Sequence, residues 1–129
     1  MAAADLIVFH HPLQWYAGPP LLKEWIDCVL QRGWAYGHGG TALRGKRVLS
    51  AVSTGGKVEA YQHDGYHHYT VPDFLRPYER TATLCGMTYL PPFIFYGSYA
   101  ATERDIFCHA EAYRQHLLSL RSVLQAASG

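Results

Sequence analysis

Asp5-Leu6-Ile7-Val8-Phe9 runs into His10-His11-Pro12-Leu13-Gln14-Trp15-Tyr16-Ala17-Gly18, and then into Pro19-Pro20-Leu21-Leu22-Lys23-Glu24-Trp25-Ile26-Asp27. The first segment is a short apolar run without polar alternation, the pattern of a strand covered on both faces of a parallel sheet. Pro19-Pro20 opens a helix, where a missing N–H is no loss. Leu21, Leu22, Trp25, Ile26, Val29 and Leu30 then recur at helical spacing, with Lys23, Glu24 and Asp27 on the other face. On that period Trp25 is expected in the core, and Gly33 stops the helix.

The strand–loop–helix unit repeats. Val48-Leu49-Ser50-Ala51-Val52 reads as a second buried strand, ending at Ser53-Thr54-Gly55-Gly56. A segment rich in Tyr and His follows from Lys57 to Thr70. A second helix is expected between Pro72 and Gly86, its regular part beginning at Pro77. Thr88-Tyr89-Leu90 and Phe93-Ile94-Phe95-Tyr96 flank Pro91-Pro92, which predicts an interrupted third strand at an edge or a bulge. Thr102 is a natural N-cap, with Glu103 and Asp105 in the first turn. Ile106, Ala110, Tyr113, Leu117, Leu120 and Leu124 give a long amphipathic last helix. The alternation argues for an open parallel α/β sheet with helices on both faces, about three strands and three helices in all.

Composition narrows the function classes. The chain has 129 residues, enough for one small domain, and its 49% hydrophobic content is that of a globular protein. A net charge of +1 argues against sequence-blind nucleic-acid binding. No apolar run approaches the roughly 20 residues of a membrane span, so direct membrane insertion is not expected. Met1-Ala2-Ala3-Ala4-Asp5 lacks the basic start of a secretory signal, and a cytoplasmic location is expected. Cys28, Cys85 and Cys108 fit neither a disulfide framework nor a zinc pattern, and Cys28 and Cys108 read as buried or inert thiols. Asp64 with the neighbouring histidines matches no metal-ligand spacing, so no metal is expected.

In open α/β sheets ligands bind beyond the carboxyl ends of the strands. Two strand ends here carry unusual sequences. His10 to Tyr16 offers backbone donors and two large flat side chains. Ser53-Thr54-Gly55-Gly56 lets the backbone approach a ligand closely. Together they suit a planar, hydrogen-bonding heterocycle held against an aromatic wall.

His11-Pro12-Leu13-Gln14-Trp15-Tyr16 and Pro19 to Asp27 resemble the NAD(P)H:quinone oxidoreductases of the flavodoxin-like fold. Gly33-Trp34-Ala35-Tyr36-Gly37-His38-Gly39-Gly40 resembles their bacterial branch, which includes the ancillary proteins of glutathione-regulated potassium-efflux antiporters. The resemblance continues through Thr54-Gly55-Gly56 and Cys85-Gly86 to Leu90-Pro91-Pro92. It implies a flavin, FMN rather than FAD, reduced by NAD(P)H and reoxidised by a quinone. It implies that Pro12, Leu13, Gln14, Trp15 and Tyr16 wrap the isoalloxazine ring, and that Thr54, Gly55 and Gly56 bind its pyrimidine edge. Tyr61 and His67 fall at or near a Tyr–His pair that stabilises charge during hydride transfer; His68 and Tyr66 are the alternatives for the second member. Tyr36 and His38 match residues that line the partner subunit's substrate site, which implies a homodimer.

Against the family pattern, the first βαβα portion of the domain, with its phosphate-binding loop, is expected to be missing ahead of Ala2-Ala3-Ala4-Asp5. Residues 1–129 then form one flavodoxin-like domain lacking that portion. Without the loop, the flavin phosphate loses several charge-assisted hydrogen bonds of about 1.5–3 kcal/mol each, and weak flavin binding is expected. The first strand is expected at an exposed edge. The reading is thus a flavin-dependent quinone reductase. Its alternatives are a regulatory subunit of a potassium-efflux antiporter, peripheral to the inner membrane face through that partner, and an inactive remnant.

Overall fold

The computed structural model describes residues 1–127. A parallel sheet is built from β1 (Leu6–Pro12), β2 (Arg47–Ser53), β3 (Thr88–Tyr89) and β4 (Phe93–Phe95). Around it lie α1 (Pro20–Val29), α2 (Val71–Phe74), α3 (Arg76–Leu84) and α4 (Glu103–Ala127), with two short 3-10 turns at Val58–Tyr61 and Ser98–Ala100. β2 is central and its five inner residues are all buried, as its unbroken apolar run requires. Its one inner hydroxyl, Ser50, is satisfied by the Tyr89 phenol at 2.9 Å.

β3 and β4 both pair with the same side of β2, so they are one edge strand broken at Pro91-Pro92, as the prolines predict. β1 pairs with β2 on the other side and is the opposite edge among the described residues. Ile7, Phe9 and His11 of β1 point to one face, where Phe9 meets Trp25 of α1 and Tyr78 of α3 at centroid distances of 6.2 and 6.0 Å. His10 points to the other face and meets Tyr113 of α4 at 5.3 Å. Helices therefore cover both faces.

Four sequence expectations need adjustment. The second helix divides at Leu75 into α2 and α3, because Pro77 has no N–H to give and its ring conflicts with the carbonyl four residues back. Trp25 is not in the core: it is 39% exposed, at the rim of an apolar groove of about 450 Å³ along the free edge of β1. Cys28 and Cys108 are exposed, and only Cys85 of the three is buried. The last helix forms as predicted but buries none of its described residues; it meets the sheet through His109, Tyr113 and His116, which stack on Phe93 and Phe95.

Candidate active site

The register sets the site. Pro12 lies beside Ser53, and Ser53 beside Phe95, so β1, β2 and β4 end at one level. The loops that follow leave the sheet together and are joined by backbone hydrogen bonds. Leu13 donates to the Ser53 carbonyl at 2.8 Å, Thr54 to that of Phe95 at 2.9 Å, Ser98 to that of Thr54 at 2.9 Å and Gly97 to that of Gly56 at 2.8 Å. Leu13, Trp15, Tyr16, Gly55, Gly56, Tyr61, His67 and Tyr99 line a cleft of about 350 Å³ at this carboxyl end.

The first wall is a two-residue hairpin. Gln14 and Ala17 exchange backbone hydrogen bonds of 2.8 and 3.0 Å, and Trp15 and Tyr16 between them sit at φ 46° and 65°. That left-handed conformation is where glycine or asparagine is normally found. It projects Trp15 out to 94% exposure, while Tyr16 packs on Phe74 of α2 at 5.1 Å. A large apolar ring held in water on a strained turn is a mark of function.

The second wall is the Thr54–Gly56 loop. Thr54 is buried, and its hydroxyl donates to the Gly56 carbonyl at 2.8 Å, which fixes the loop. The Gly55 N–H donates to no protein acceptor among the described residues, while the Gly56 N–H is taken by the Tyr61 phenol. The third wall is aromatic. Tyr61 lies over His67 with centroids 4.5 Å apart and planes 30° apart, and the Tyr16 hydroxyl is 3.2 Å from His67 Nδ1. With His67 protonated on Nε2, Tyr16 is the donor of that bond and the Nε2–H is left free. Burial pushes the Tyr61 phenol up and the negative charge of an ionised Tyr16 adds to this, while hydrogen bonding with Thr54 and with the Gly56 backbone opposes it. Tyr61 therefore stays protonated and remains a donor at neutral pH.

The cleft thus gathers Leu13, Trp15, Tyr16, Gly55, Gly56, Tyr61 and His67. Of the three candidates for the second member of the pair, His67 lines it; Tyr66 points to solvent against the His67 edge, and His68 is exposed at φ 60°. Pro12 and Gln14 shape the hairpin, and Thr54 acts from beneath the loop, without lining the cleft. Tyr36 is half-buried against the core and His38 is exposed; neither lines the cleft of its own chain. Tyr99 was not singled out from the sequence. Its signal was the third strand end, level with the other two.

The flavodoxin-like fold family model matches residues 1–117. An NADPH-quinone reductase structure from P. pentosaceus superposes with a TM-score of 0.82 at 33% identity, covering 89% of this chain and 68% of that one. The chain belongs to the flavodoxin-like quinone oxidoreductase family. Other proteins are more similar still. General stress protein 14 of Bacillus subtilis is 54% identical over 114 residues, 88% of this chain and 65% of that protein. The glutathione-regulated potassium-efflux system ancillary protein KefF of Salmonella arizonae is 46% identical, over 92% of this chain and 66% of that protein. A general stress protein 14 from Treponema denticola, in complex with FMN, superposes with a TM-score of 0.87 at 41% identity, covering 92% and 68%. A thermophilic tryptophan halogenase from Streptomycin violaceusniger superposes with a TM-score of 0.88 at 50% identity, covering 91% and 68%. The chain spans about two thirds of the length of the curated relatives it matches. Names this different on one flavodoxin-like scaffold mean that activity must be argued from the cleft.

The cleft fits the ring end of a flavin. An isoalloxazine offers two flat faces and an edge of hydrogen-bond acceptors. The cleft offers an exposed indole, a phenol–imidazole stack and an unused backbone N–H donor at Gly55. Among the described residues no group of three or more His, Cys, Asp or Glu is placed to hold a metal ion, and no helix is long and apolar enough to cross a membrane.

Proposed function

We propose that this flavodoxin-like chain works as an FMN-dependent NAD(P)H:quinone oxidoreductase. The carrying observation is the meeting, in one cleft, of Trp15 and Tyr16 on a strained turn with the Gly55–Gly56 loop, whose Gly55 N–H is unused. Similarity to an FMN-bound stress protein and to an NADPH-quinone reductase supports the choice of cofactor and reaction class.

A flavin bound there supplies two-electron chemistry, accepting hydride from a nicotinamide and passing it to a quinone. The protein's part is positioning and charge stabilisation. Trp15 and Tyr16 give the ring a flat apolar wall and keep water from it. Gly55, on the loop that Thr54 and Gly56 hold in place, offers a fixed N–H donor to negative charge on the reduced ring, which acts without reorganisation. Tyr61, held protonated, and His67, oriented by Tyr16, present two further donors to charge developing on the substrate side. Tyr36 and His38 are assigned to the substrate site of a partner subunit in a homodimer. Similarity to the KefF ancillary proteins favours a second, compatible role: a regulatory subunit docked on a potassium-efflux antiporter at the membrane face.

The test is a titration of FMN followed by flavin fluorescence, with the solution mass recorded, and then NAD(P)H oxidation with a simple quinone. Saturable binding to a dimer, lost in Trp15→Ala and followed by quinone-dependent oxidation, is the expected result. Absence of saturable binding up to about 1 mM FMN, a free energy of only about 4 kcal/mol, would overturn the reading.

A further inference from the structure

Tyr99 belongs to the 3-10 turn after β4 and has an unusual environment. Its ring is 94% exposed, and its hydroxyl has no hydrogen-bond partner among the described residues. The turn beneath it is firmly held, by the hydrogen bonds from Gly97 to Gly56 and from Ser98 to Thr54, and starts from Gly97 at φ 76°. The backbone is thus fixed while the ring has no polar partner and is exposed on most of its surface. That ring lies directly on Gly55: a Cβ placed there would overlap the Tyr99 ring carbons. It therefore rests against the residue whose N–H is unused, at the cleft edge formed by the β4 loop. The Trp15 hairpin follows β1, on the other side of β2. Two exposed aromatic rings accordingly flank the central Thr54–Gly56 loop from opposite sides.

We propose that Tyr99 is an aromatic flap, a positioning residue that closes the cleft on the side away from Trp15 by stacking on the planar ring bound there. An aromatic ring this exposed keeps most of its apolar surface in water, and a flat ligand is the partner that covers it at little conformational cost. Small non-planar molecules gain nothing from it, so the flap favours fused-ring ligands. The inference rests on the reading of the cleft as a flavin site and adds a residue to that site.

The experiment is a fluorescence titration of FMN, and separately of riboflavin, against the wild-type chain, Tyr99→Ala and Tyr99→Phe, with thermal midpoints measured alongside. Tyr99→Ala is expected to weaken both ligands equally, roughly three- to tenfold, the range of one aromatic stacking pair. Tyr99→Phe keeps the ring and is expected to bind within about twofold of wild type. All three midpoints should agree, because the side chain is in solvent. Unchanged affinity in Tyr99→Ala overturns the flap. So does an equal loss in Tyr99→Phe, which would assign the effect to the hydroxyl. A loss for FMN without one for riboflavin overturns it too, since the contact would then be to the phosphate. If the wild-type chain binds neither ligand, the flavin reading itself falls and the flap falls with it, whereas wild-type binding with an indifferent Tyr99→Ala removes the flap alone.

Discussion

His11 is a buried imidazole with one nitrogen occupied and the other not. Its Nδ1–H donates to the Pro12 carbonyl at 2.9 Å, and its ring packs on Tyr78 at 5.3 Å. Nε2 is buried without a partner among the described residues. Burial pushes its pKa below the ordinary 6.5, the Pro12 bond opposes this, and a charged His10 would lower it further. The folded state therefore holds His11 neutral where the unfolded chain takes up a proton. Its contribution is complete above pH 6.5 and is lost as pH falls through the folded pKa. Thermal midpoints should drop between pH 7.5 and 5, and His11→Phe, which keeps the packing on Tyr78, should flatten that slope. His109, lowered chiefly by burial as well, keeps a residual slope in the variant. An unchanged slope in His11→Phe would refute the assignment. At this scale Trp15, Tyr16, Gly55 and Gly56 were legible, because flat side chains and paired glycines at strand ends announce themselves. Tyr99 was not: a tyrosine between Ser98 and Ala100 has no local signature, and only the alignment of Phe95 with Ser53 and Pro12 reveals its place.

At the scale of elements, the four-residue helix α2 matters more than its length indicates. Thr70 and Asp73 form a reciprocal cap: the Thr70 hydroxyl accepts from the Asp73 N–H at 3.3 Å, and the Asp73 carboxylate accepts from the Thr70 N–H at 3.0 Å and its hydroxyl at 2.8 Å. Arg76 joins at 3.0 Å. The Thr70 N–H, with its hydroxyl and Arg76, draws the Asp73 carboxyl down to about 2, so the cap is intact above pH 3.8 and is released as pH falls through about 2. The cap holds Phe74 against Tyr16 and Tyr61 and ends the segment that bears His67. Thr70→Ala should cost about 1 kcal/mol in urea denaturation, and Thr70→Ser should restore it. Equal stability of the alanine variant would mean that α2 is held by packing alone. This cap went unread because Pro72 and Pro77 made one interrupted helix the simpler pattern. The cap at Thr102 was read because a long amphipathic stripe follows it, and there Asp105 N–H donates to the Thr102 hydroxyl at 3.2 Å.

For the whole molecule, the feature with the largest consequence is the outer edge of β1. Among the described residues it pairs with nothing, and the apolar groove beside it is lined by Leu6, Val8, Leu22 and Trp25. An unpaired apolar edge is a template for another chain. The chain should associate with rising concentration in sedimentation experiments, and Val8→Lys, a charge on that edge, should suppress the association. Association of equal strength in Val8→Lys would place the contact elsewhere. The parallel order of the sheet was legible because each strand is a short apolar run followed by a helix. The thin cover supplied by α4 was not. Periodicity places Tyr113 on the buried-side stripe, but His109 and His116, which share its face and fill the gap at Phe93 and Phe95, are polar and do not register in an apolar pattern.

The turn at Trp15 and Tyr16 carries an evolutionary corollary. Both residues hold a backbone shape that Asn or Gly would adopt with less strain, worth about 1 kcal/mol or more per residue. Selection for foldability alone would drive this hairpin toward Asn-Gly and strip the cleft of its indole and phenol. If these residues hold a flavin as proposed, a population that keeps Trp-Tyr here is under purifying pressure for ligand, and a stability-ranked mutant library would enrich variants that no longer bind it.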